Sequence, residues 1–256
     1  MNSIIYGPVP SWRLGRSLGI DVVSTKEKTC SFDCVYCQLG KTIHRVNQRD
    51  TFVSLELLAD EFESTKEIPI DYVTFSGVAE PTLASNLGQA IDLAKSKLGF
   101  PVAVLTNSSL MFLEDVRRDL AHADVVVAKL DVPEEGLFRS INRPVTGISF
   151  KQTVEGIRRF RREYSGILAL QIMFIDANRG SASQMAALAE EIMPDEVQLN
   201  TPLRPCAVKP LREAEMRSIK DEFARFGDKA VMVYESTKPM VEPVDMAQTL
   251  RRRPQL

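Results

Sequence analysis

Six short apolar runs alternate along the chain with longer stretches whose apolar residues recur at helical spacing. The runs span residues 20–23, 70–76, 101–105, 124–131, 167–174 and 196–200. Strands that alternate with helices pair in parallel through right-handed crossovers. The run 124–131 is apolar over most of its length, as expected for a strand that is covered on both faces. The alternation therefore predicts an α/β protein built on a parallel sheet of six strands.

Size and charge are those of a soluble enzyme. The chain has 256 residues, of which 44% are hydrophobic, and its 32 basic and 34 acidic residues give a net charge of −2. This balance produces no strong field for a nucleic acid or a membrane, although a local basic patch remains possible. We expect a cytoplasmic location, because the first residues lack signal-peptide features and no apolar run approaches the roughly 20 residues of a membrane span.

Three of the four cysteines lie within eight residues, at Cys30, Cys34 and Cys37. Structural zinc sites usually have four protein ligands, and a four-iron four-sulfur cluster normally has four cysteines. Three thiols therefore leave one coordination position open. A zinc knuckle, or three unrelated thiols, is the alternative.

A second motif, Thr74-Phe75-Ser76-Gly77-Val78-Ala79-Glu80-Pro81-Thr82, begins within the second apolar run. A β-branched and aromatic run that breaks at a glycine before a helical pattern is typical of a strand, a loop and a helix. A plain strand-to-helix turn with a glutamate at the helix start is the alternative.

The Cys-x3-Cys-x2-Cys spacing and the second motif together resemble the radical S-adenosylmethionine (SAM) superfamily. The resemblance implies a 4Fe-4S cluster on Cys30, Cys34 and Cys37, with SAM chelated to the fourth iron. One electron from a ferredoxin- or flavodoxin-like donor then splits SAM and yields a 5′-deoxyadenosyl radical. Gly77 and Glu80 match the Gly-Gly-Glu-Pro element that holds the SAM amino group, and Ala79 stands where a glycine is more usual.

The same resemblance implies a partial (β/α)6 TIM-like barrel over residues 18–205. Residues 1–17 form an N-terminal loop in this interpretation, because prolines and glycines punctuate residues 6–19. Trp12 and the neighbouring arginines either line a site or wrap the surface. Residues 206–256 form a short helix-strand extension outside the six strands. Its basic tail, 249–256, is expected to be frayed and either contacts an anionic partner or has no role.

Further candidate cofactor-binding residues lie near the carboxyl ends of the predicted strands, where a parallel barrel keeps its chemistry. The resemblance places Tyr36 near the SAM adenine, and packing against the barrel is its alternative. Asn107 and Ser108 contact the SAM ribose or carboxylate, or cap the next helix. Lys129 and Asp131 share a strand face, and they bind SAM or substrate, or form a structural ion pair.

Three other features carry weaker signals. The loop 138–144 is polar and basic, and we expect it to contribute to substrate specificity. The arginines between 158 and 162 form a solvated helix face or contact RNA phosphates. Cys206, beside Arg204, is a lone cysteine and is therefore more often inert than catalytic.

The substrate is not specified by these motifs. The opening segment Tyr6-Gly7-Pro8-Val9-Pro10-Ser11 resembles compact microbial radical SAM proteins of the iron–sulfur oxidoreductase type, which are loosely grouped with wyosine-type tRNA modification enzymes. The second cysteine cluster of wyosine synthases is absent, since only Cys206 remains. We expect an unidentified small-molecule or cofactor-precursor substrate. The alternatives are RNA (tRNA) modification, a glycyl-radical activase, and a non-catalytic cluster-binding or zinc-binding module.

Overall fold

One curled sheet of eight strands forms the centre of the computed structural model, which describes residues 3–65 and 68–254. The strands are β1 (Ile5–Ser11), β2 (Gly15–Ile20), β3 (Thr29–Cys30), β4 (His44–Arg45), β5 (Tyr72–Phe75), β6 (Val102–Thr106), β7 (Val125–Lys129), β8 (Ile167–Met173), β9 (Glu196–Asn200) and β10 (Ala230–Met232). Their order in the sheet is β1-β2-β5-β6-β7-β8-β9-β10, and β3 and β4 form a separate parallel pair. Within the large sheet, β1 is antiparallel to β2 and the other pairs are parallel.

Helices follow the strands and cover the outer face of the sheet. They are α1 (Leu55–Glu63), α2 (Leu87–Leu98), α3 (Glu114–Leu120), α4 (Glu135–Leu137), α5 (Phe150–Glu163), α6 (Ala182–Ile192), α7 (Glu213–Glu222) and α8 (Met246–Arg252). The predicted start of α1 is confirmed, because the Ser54 side chain accepts a hydrogen bond from the Leu57 N–H at 3.2 Å. Gly99 ends α2 in the left-handed conformation, with φ at +72°.

The predicted α/β barrel is confirmed. β2, β5, β6, β7, β8 and β9 are consecutive parallel neighbours, which is the arrangement of a partial (β/α)6 TIM-like barrel. The first of these strands begins earlier than the sequence predicted, at Gly15, and ends at Ile20. No helix within the described ranges has the length and apolar composition needed to cross a membrane.

The N-terminal segment differs from its prediction, because residues 6–19 form a hairpin of two strands instead of a loop. β1 is an edge strand, and edge positions tolerate Pro8 and Pro10 since one side of the strand needs no ladder donors. The Tyr6 hydroxyl lies 2.6 Å from the Ser76 hydroxyl, which ties the hairpin to the end of β5. Residues 1 and 2 of the predicted loop lie outside the described residues.

The C-terminal segment also differs. β10 pairs with β9 and extends the sheet, whereas the sequence placed this strand outside it. Residues 246–252 form α8, so the expected fraying of the tail is wrong over this span. Residues 255 and 256 of that tail lie outside the described residues. The tail packs against β1, where Gly7 donates to the Thr249 hydroxyl at 2.9 Å.

The inner face of the barrel changes from apolar to polar towards the carboxyl ends of the strands. A small apolar cluster fills the lower part, formed by Leu14, Ala103, Val125, Val127 and Ala169. Above it, the Ser17 and Thr74 hydroxyls lie 2.6 Å apart, and the Gln171 amide donates to Gln198 at 3.4 Å. The polar end of the lumen is therefore the end at which a substrate can be recognised.

Candidate active site

The three cysteines lie in a loop that is held against the segment around Asn142. The Asp33 N–H donates to the Asn142 carbonyl at 3.0 Å, and the Val35 N–H donates to the Ile141 carbonyl at 2.9 Å. Within the loop, the Cys37 N–H donates to the Cys34 carbonyl at 3.0 Å. The segment 138–144, expected to contribute to specificity, thus supports the cysteine loop directly.

Amide donors face two of the three sulfurs. The Asn107 Nδ2 lies 3.4 Å from the Cys30 Sγ, to which the Phe32 N–H also donates at 3.4 Å. The Asn142 Nδ2 lies 3.6 Å from the Cys34 Sγ. Burial raises the pKa of Cys30 to about 12 and the pKa of Cys34 to about 11. Both thiols are therefore protonated at neutral pH unless a metal cation replaces the proton.

The Glu80 carboxylate is buried and fully engaged with its neighbours. It accepts hydrogen bonds from the Thr82 N–H at 3.1 Å, the Thr82 hydroxyl at 2.7 Å, the Thr106 hydroxyl at 2.6 Å and the Asn107 N–H at 2.7 Å. Burial raises the pKa of Glu80, and these four donors oppose that shift. The carboxylate thereby fixes the end of β6, from which Asn107 reaches the cysteine loop.

Gly77 and Ala79 lie in the loop that contains Glu80, and they bring this loop close to Asp21 and Thr29. A Cβ at Gly77 would overlap the Asp21 carboxyl group, so glycine is required by the close approach. Ala79 has a negative φ and forms a parallel bridge with Thr29, next to Cys30. Alanine can therefore replace the more usual glycine without strain.

Tyr36, Lys129 and Asp131 form one hydrogen-bonded network on the other side of the cysteine loop. The Tyr36 hydroxyl donates to Asp131 Oδ2 and accepts from Lys129 Nζ at 3.1 Å. The Asp131 carboxylate also accepts from the Asn142 amide at 2.7 Å and the Met173 N–H at 2.9 Å. The Lys129 Nζ lies 4.0 Å from Asp131 Oδ1. Burial raises the pKa of Tyr36 well above its usual value, so the phenol remains protonated.

Ser108 is buried and has a φ of +68°. Its N–H donates to the Thr106 hydroxyl at 3.0 Å, whereas its own Oγ has no hydrogen-bond partner among the described residues. The Asn107 side chain is used differently, since its Oδ1 accepts from the Ser109 N–H at 2.9 Å while its amide faces Cys30.

A cavity of about 300 Å³ extends from the carboxyl ends of the strands to the turn between β1 and β2. Four of the predicted site residues line it: Tyr36, Cys37, Gly77 and Lys129. The others do not line it: Cys30, Cys34, Glu80, Asn107, Ser108 and Asp131. The cavity is strongly basic, and no Asp or Glu side chain of the described ranges lines it. Its cationic residues are Arg13, Lys129, Arg204, Lys238, Arg252 and Arg253.

Arg13 was expected either to line a site or to wrap the surface, and Arg253 belongs to the basic tail that was expected either to contact an anionic partner or to have no role. Arg253 has no local signal of a site, because it belongs to a basic tail that is typical of a solvated end. Its place in the cavity follows from a contact made across the whole chain, in which Arg252 Nε donates to Asp21 at 2.8 Å.

Two features with weak sequence signals lie away from the cavity. The Cys206 thiol donates to the Val208 carbonyl at 3.1 Å and does not line the cavity. The arginines of α5 form ion pairs on the helix surface, which favours the solvated-face interpretation over RNA contact. These pairs join Arg158 to Glu191, Arg159 to Glu155, Arg161 to Asp195, and Arg162 to Glu155.

Residues 28–187, more than half of the chain, match the family model for the radical SAM superfamily. The chain belongs to the radical SAM superfamily. The matched residues include the three cysteines, Gly77, Glu80, Lys129 at the end of β7, and Asp131 just beyond it. It is therefore an enzyme, and its superfamily carries out radical chemistry derived from SAM.

Relatives in this superfamily align over most of the chain. A UPF0026 protein of Synechocystis sp. is 41% identical over 215 residues, which are 83% of this chain and 80% of that protein. A UPF0026 protein of Methanocaldococcus jannaschii is 37% identical over 236 residues, or 88% of this chain and 72% of that protein.

Solved radical SAM structures show the same fold at low sequence identity. Streptococcus suis SuiB bound to S-adenosylmethionine superposes with a TM-score of 0.62 at 13% identity. The alignment covers 81% of this chain and 48% of SuiB. The barrel is thus shared, and the chain spans about half the length of SuiB.

Radical SAM proteins use SAM and an iron–sulfur cluster, and the residues of the cysteine loop fit such a cluster. Three thiols lie in one loop, and amide donors face the sulfurs of Cys30 and Cys34. Hydrogen bonds of this kind are one means by which proteins adjust the reduction potential of an iron–sulfur cluster. A cubane binds each thiolate to a different iron, so its ligands need not converge. Over residues 3–65 and 68–254, no three His, Cys, Asp or Glu side chains converge on a single metal position.

Proposed function

We propose that this enzyme binds a 4Fe-4S cluster through Cys30, Cys34 and Cys37 and cleaves SAM reductively. The cluster, when loaded, would supply one electron to SAM and so yield a 5′-deoxyadenosyl radical that removes a hydrogen atom from substrate. One observation carries the proposal: a loop with only three thiols meets a cavity at the carboxyl end of a radical SAM barrel. Three ligands leave one iron free for SAM.

The loop 77–80 and the end of β6 are proposed to hold SAM. Gly77 lines the cavity and would contact SAM through its backbone. The position must remain a glycine, because a side chain there would overlap Asp21. Glu80 would act through the loop that it orders, since its oxygens already accept four hydrogen bonds. Asn107 would support the cluster at Cys30, and the free hydroxyl of buried Ser108 remains a candidate contact.

The hydrogen-bonded network of Tyr36, Lys129 and Asp131 is proposed to orient the cysteine loop and to present one positive charge, that of Lys129, to the cavity. Asp131 is engaged by Tyr36, Asn142 and the Met173 N–H, which favours a structural role for this carboxylate. Lys129 lines the cavity and can meet the SAM carboxylate or a substrate anion. The buried phenol of Tyr36 would close one wall against water.

We propose a small-molecule or cofactor-precursor substrate. The cavity volume of about 300 Å³ lies at the lower end of the range for small-molecule sites. A ferredoxin- or flavodoxin-like protein is the proposed electron donor.

Anaerobic reconstitution with iron and sulfide tests the proposal. Reduction with dithionite in the presence of SAM should yield 5′-deoxyadenosine, measured by chromatography. Cys34→Ala should abolish the product, and Cys206→Ala, a matched thiol away from the cavity, should leave it unchanged. Cleavage that persists in Cys34→Ala with an intact cluster would contradict the assignment.

A further inference from the structure

Three arginines project into the cavity with unsatisfied guanidinium groups. Arg13, Arg204 and Arg253 all line it. Nε and Nη1 of Arg13 and Nε of Arg253 are buried without a hydrogen-bond partner in the part of the chain that the structure describes. No hydrogen bond or ion pair within residues 3–65 and 68–254 reaches the Arg204 side chain. Buried donors are nearly always paired in folded proteins, so these groups require an explanation.

The positive charges of the three arginines act on one another. Burial, followed by repulsion from Arg253, lowers the pKa of Arg13 to about 9 and the pKa of Arg204 to about 10. Burial also lowers the pKa of Arg253. All three therefore remain charged at neutral pH while lining one cavity, an arrangement that an anion would relieve.

Among the other cationic residues of the cavity, Lys238 is exposed to solvent, and Arg252 and Lys129 already have partners. Arg252 is bonded to Asp21, and Lys129 is bonded to Tyr36. Glu196 acts electrostatically on Arg13, but it does not line the cavity and it accepts a hydrogen bond from Gln198 at 2.6 Å. Within the described lining of the cavity, positive charge that is both shielded from solvent and without a partner is thus specific to the three arginines.

Each arginine comes from an element outside the segment 28–187 that matches the superfamily. Arg13 lies in the turn between β1 and β2, Arg204 follows β9, and Arg253 follows α8. The last is held in place by Arg252, which donates to Asp21 at 2.8 Å and to the Ser3 carbonyl at 2.8 Å. The three arginines therefore all lie outside the residues that match the superfamily model.

We propose that Arg13, Arg204 and Arg253 bind the phosphate monoester or diphosphate group of a small-molecule substrate. A guanidinium group donates two parallel hydrogen bonds to anionic oxygens. A phosphate group presents enough oxygens to accept from three guanidinium groups, whereas a carboxylate presents only two oxygens. Arg204 and Cys37 line the same cavity, so the bound group would be held in the cavity that the cysteine loop borders. This substrate class rests on the proposed function, since the radical would act on the molecule that the arginines hold.

Equilibrium dialysis of the anaerobically reconstituted protein with labelled pyrophosphate, at fixed ionic strength, tests the site. We expect saturable binding that Arg204→Gln and Arg253→Gln each weaken by about tenfold to a hundredfold. Arg204→Lys, which keeps the charge and loses the fork, should be intermediate. Arg159→Gln, on the exposed face of α5, is the matched control and should bind normally.

Several results would overturn the site. They are the absence of saturable binding, an equal loss in Arg159→Gln, and competition by SAM, which would assign the arginines to the cofactor carboxylate. Tighter binding of tricarballylate would overturn the phosphate assignment. Binding of single-stranded RNA through these arginines without pyrophosphate binding would exclude a small-molecule site.

The formation of 5′-deoxyadenosine, measured in the same preparations, separates the two proposals. SAM cleavage without arginine-dependent pyrophosphate binding would overturn the anion site alone. Arginine-dependent binding without SAM cleavage, in protein with a loaded cluster, would overturn the radical chemistry alone.

Discussion

Two asparagines on distant loops each direct an amide towards a cysteine sulfur. Asn107 follows β6 and lies 3.4 Å from the Cys30 Sγ, and Asn142 precedes α5 and lies 3.6 Å from the Cys34 Sγ. Hydrogen bonds to cluster sulfurs stabilise the more negative, reduced state and so raise the reduction potential. In the proposed cluster, these two amides would therefore raise the reduction potential.

Asn107→Ala should make the midpoint potential of the cluster more negative with little loss of bound iron. A shift of up to about 60 mV, equivalent to a tenfold change in a one-electron equilibrium, is the expected scale. The measurement is an electron paramagnetic resonance (EPR) redox titration. Asn47→Ala is the control, because its amide donates to the Thr146 carbonyl and not to a cysteine. An unchanged potential in Asn107→Ala would refute the role.

Glu80→Gln should lower the free energy of unfolding by about 1–3 kcal/mol. The carboxylate accepts from four donors, and a glutamine amide would place its own N–H groups against some of them. Urea denaturation measures the change. The exposed Glu222→Gln should alter stability by less than about 0.5 kcal/mol, and equal effects of the two substitutions would contradict this account.

At the scale of elements, a buried ion pair attaches α8 to the barrel, in addition to the hydrogen bond from Gly7 to Thr249. Arg252 and Asp21 are separated by most of the chain, and both side chains are almost completely buried. A buried charge that loses its partner typically costs about 3–5 kcal/mol. The helix thus depends on Asp21 for its place, and the position of Arg253 depends on the helix.

Asp21→Asn should destabilise the protein by about 3–5 kcal/mol, and Asp21→Asn with Arg252→Met should cost less than the sum of the single changes. A double-mutant cycle in urea measures the coupling. Strictly additive effects would show that the pair does not hold α8. Asp21 also accepts from the Ser24 and Val78 N–H groups, so part of the single loss persists in the double variant.

The helix α5 packs unusually close to the chain before α3. A Cβ at Gly156 would lie 2.5 Å from the Met111 carbonyl carbon and 2.5 Å from the Phe112 nitrogen. Gly156→Ala should therefore destabilise the protein by about 1–3 kcal/mol through overpacking. Gly180→Ala has open space around its Cβ and serves as the control in thermal unfolding. A smaller loss for Gly156 than for Gly180 would be inconsistent with this packing.

At the scale of the whole molecule, the parallel core could be predicted from the sequence and its edges could not. Central strands such as β7 are apolar over consecutive residues because both faces are buried, and this leaves a clear local signal. β1 carries prolines that an edge strand tolerates, so it resembled a loop. The predicted division at residues 17/18 and 205/206 remains a prediction.

The candidate site likewise contains some residues that have a local sequence signal and others that have none. The cysteines could be singled out from their spacing within one loop. Lys129 and Asp131 were paired as residues of one strand face, but β7 ends at Lys129, and Asp131 joins the network from beyond the strand. The support from Asn142 and the position of Arg253 depend on contacts between segments far apart in sequence, for which no local pattern exists. The anion site in particular required the complete chain, since its three arginines come from both ends of the fold.

The measurement that tests the central claim most directly is electron–nuclear double resonance of the reduced, reconstituted cluster with isotopically labelled SAM. Because three thiolates leave one iron open, we predict hyperfine coupling from nitrogen-15 in the amino group and oxygen-17 in the carboxylate of SAM. A reduced cluster whose EPR spectrum and couplings are unaffected by SAM would contradict the account.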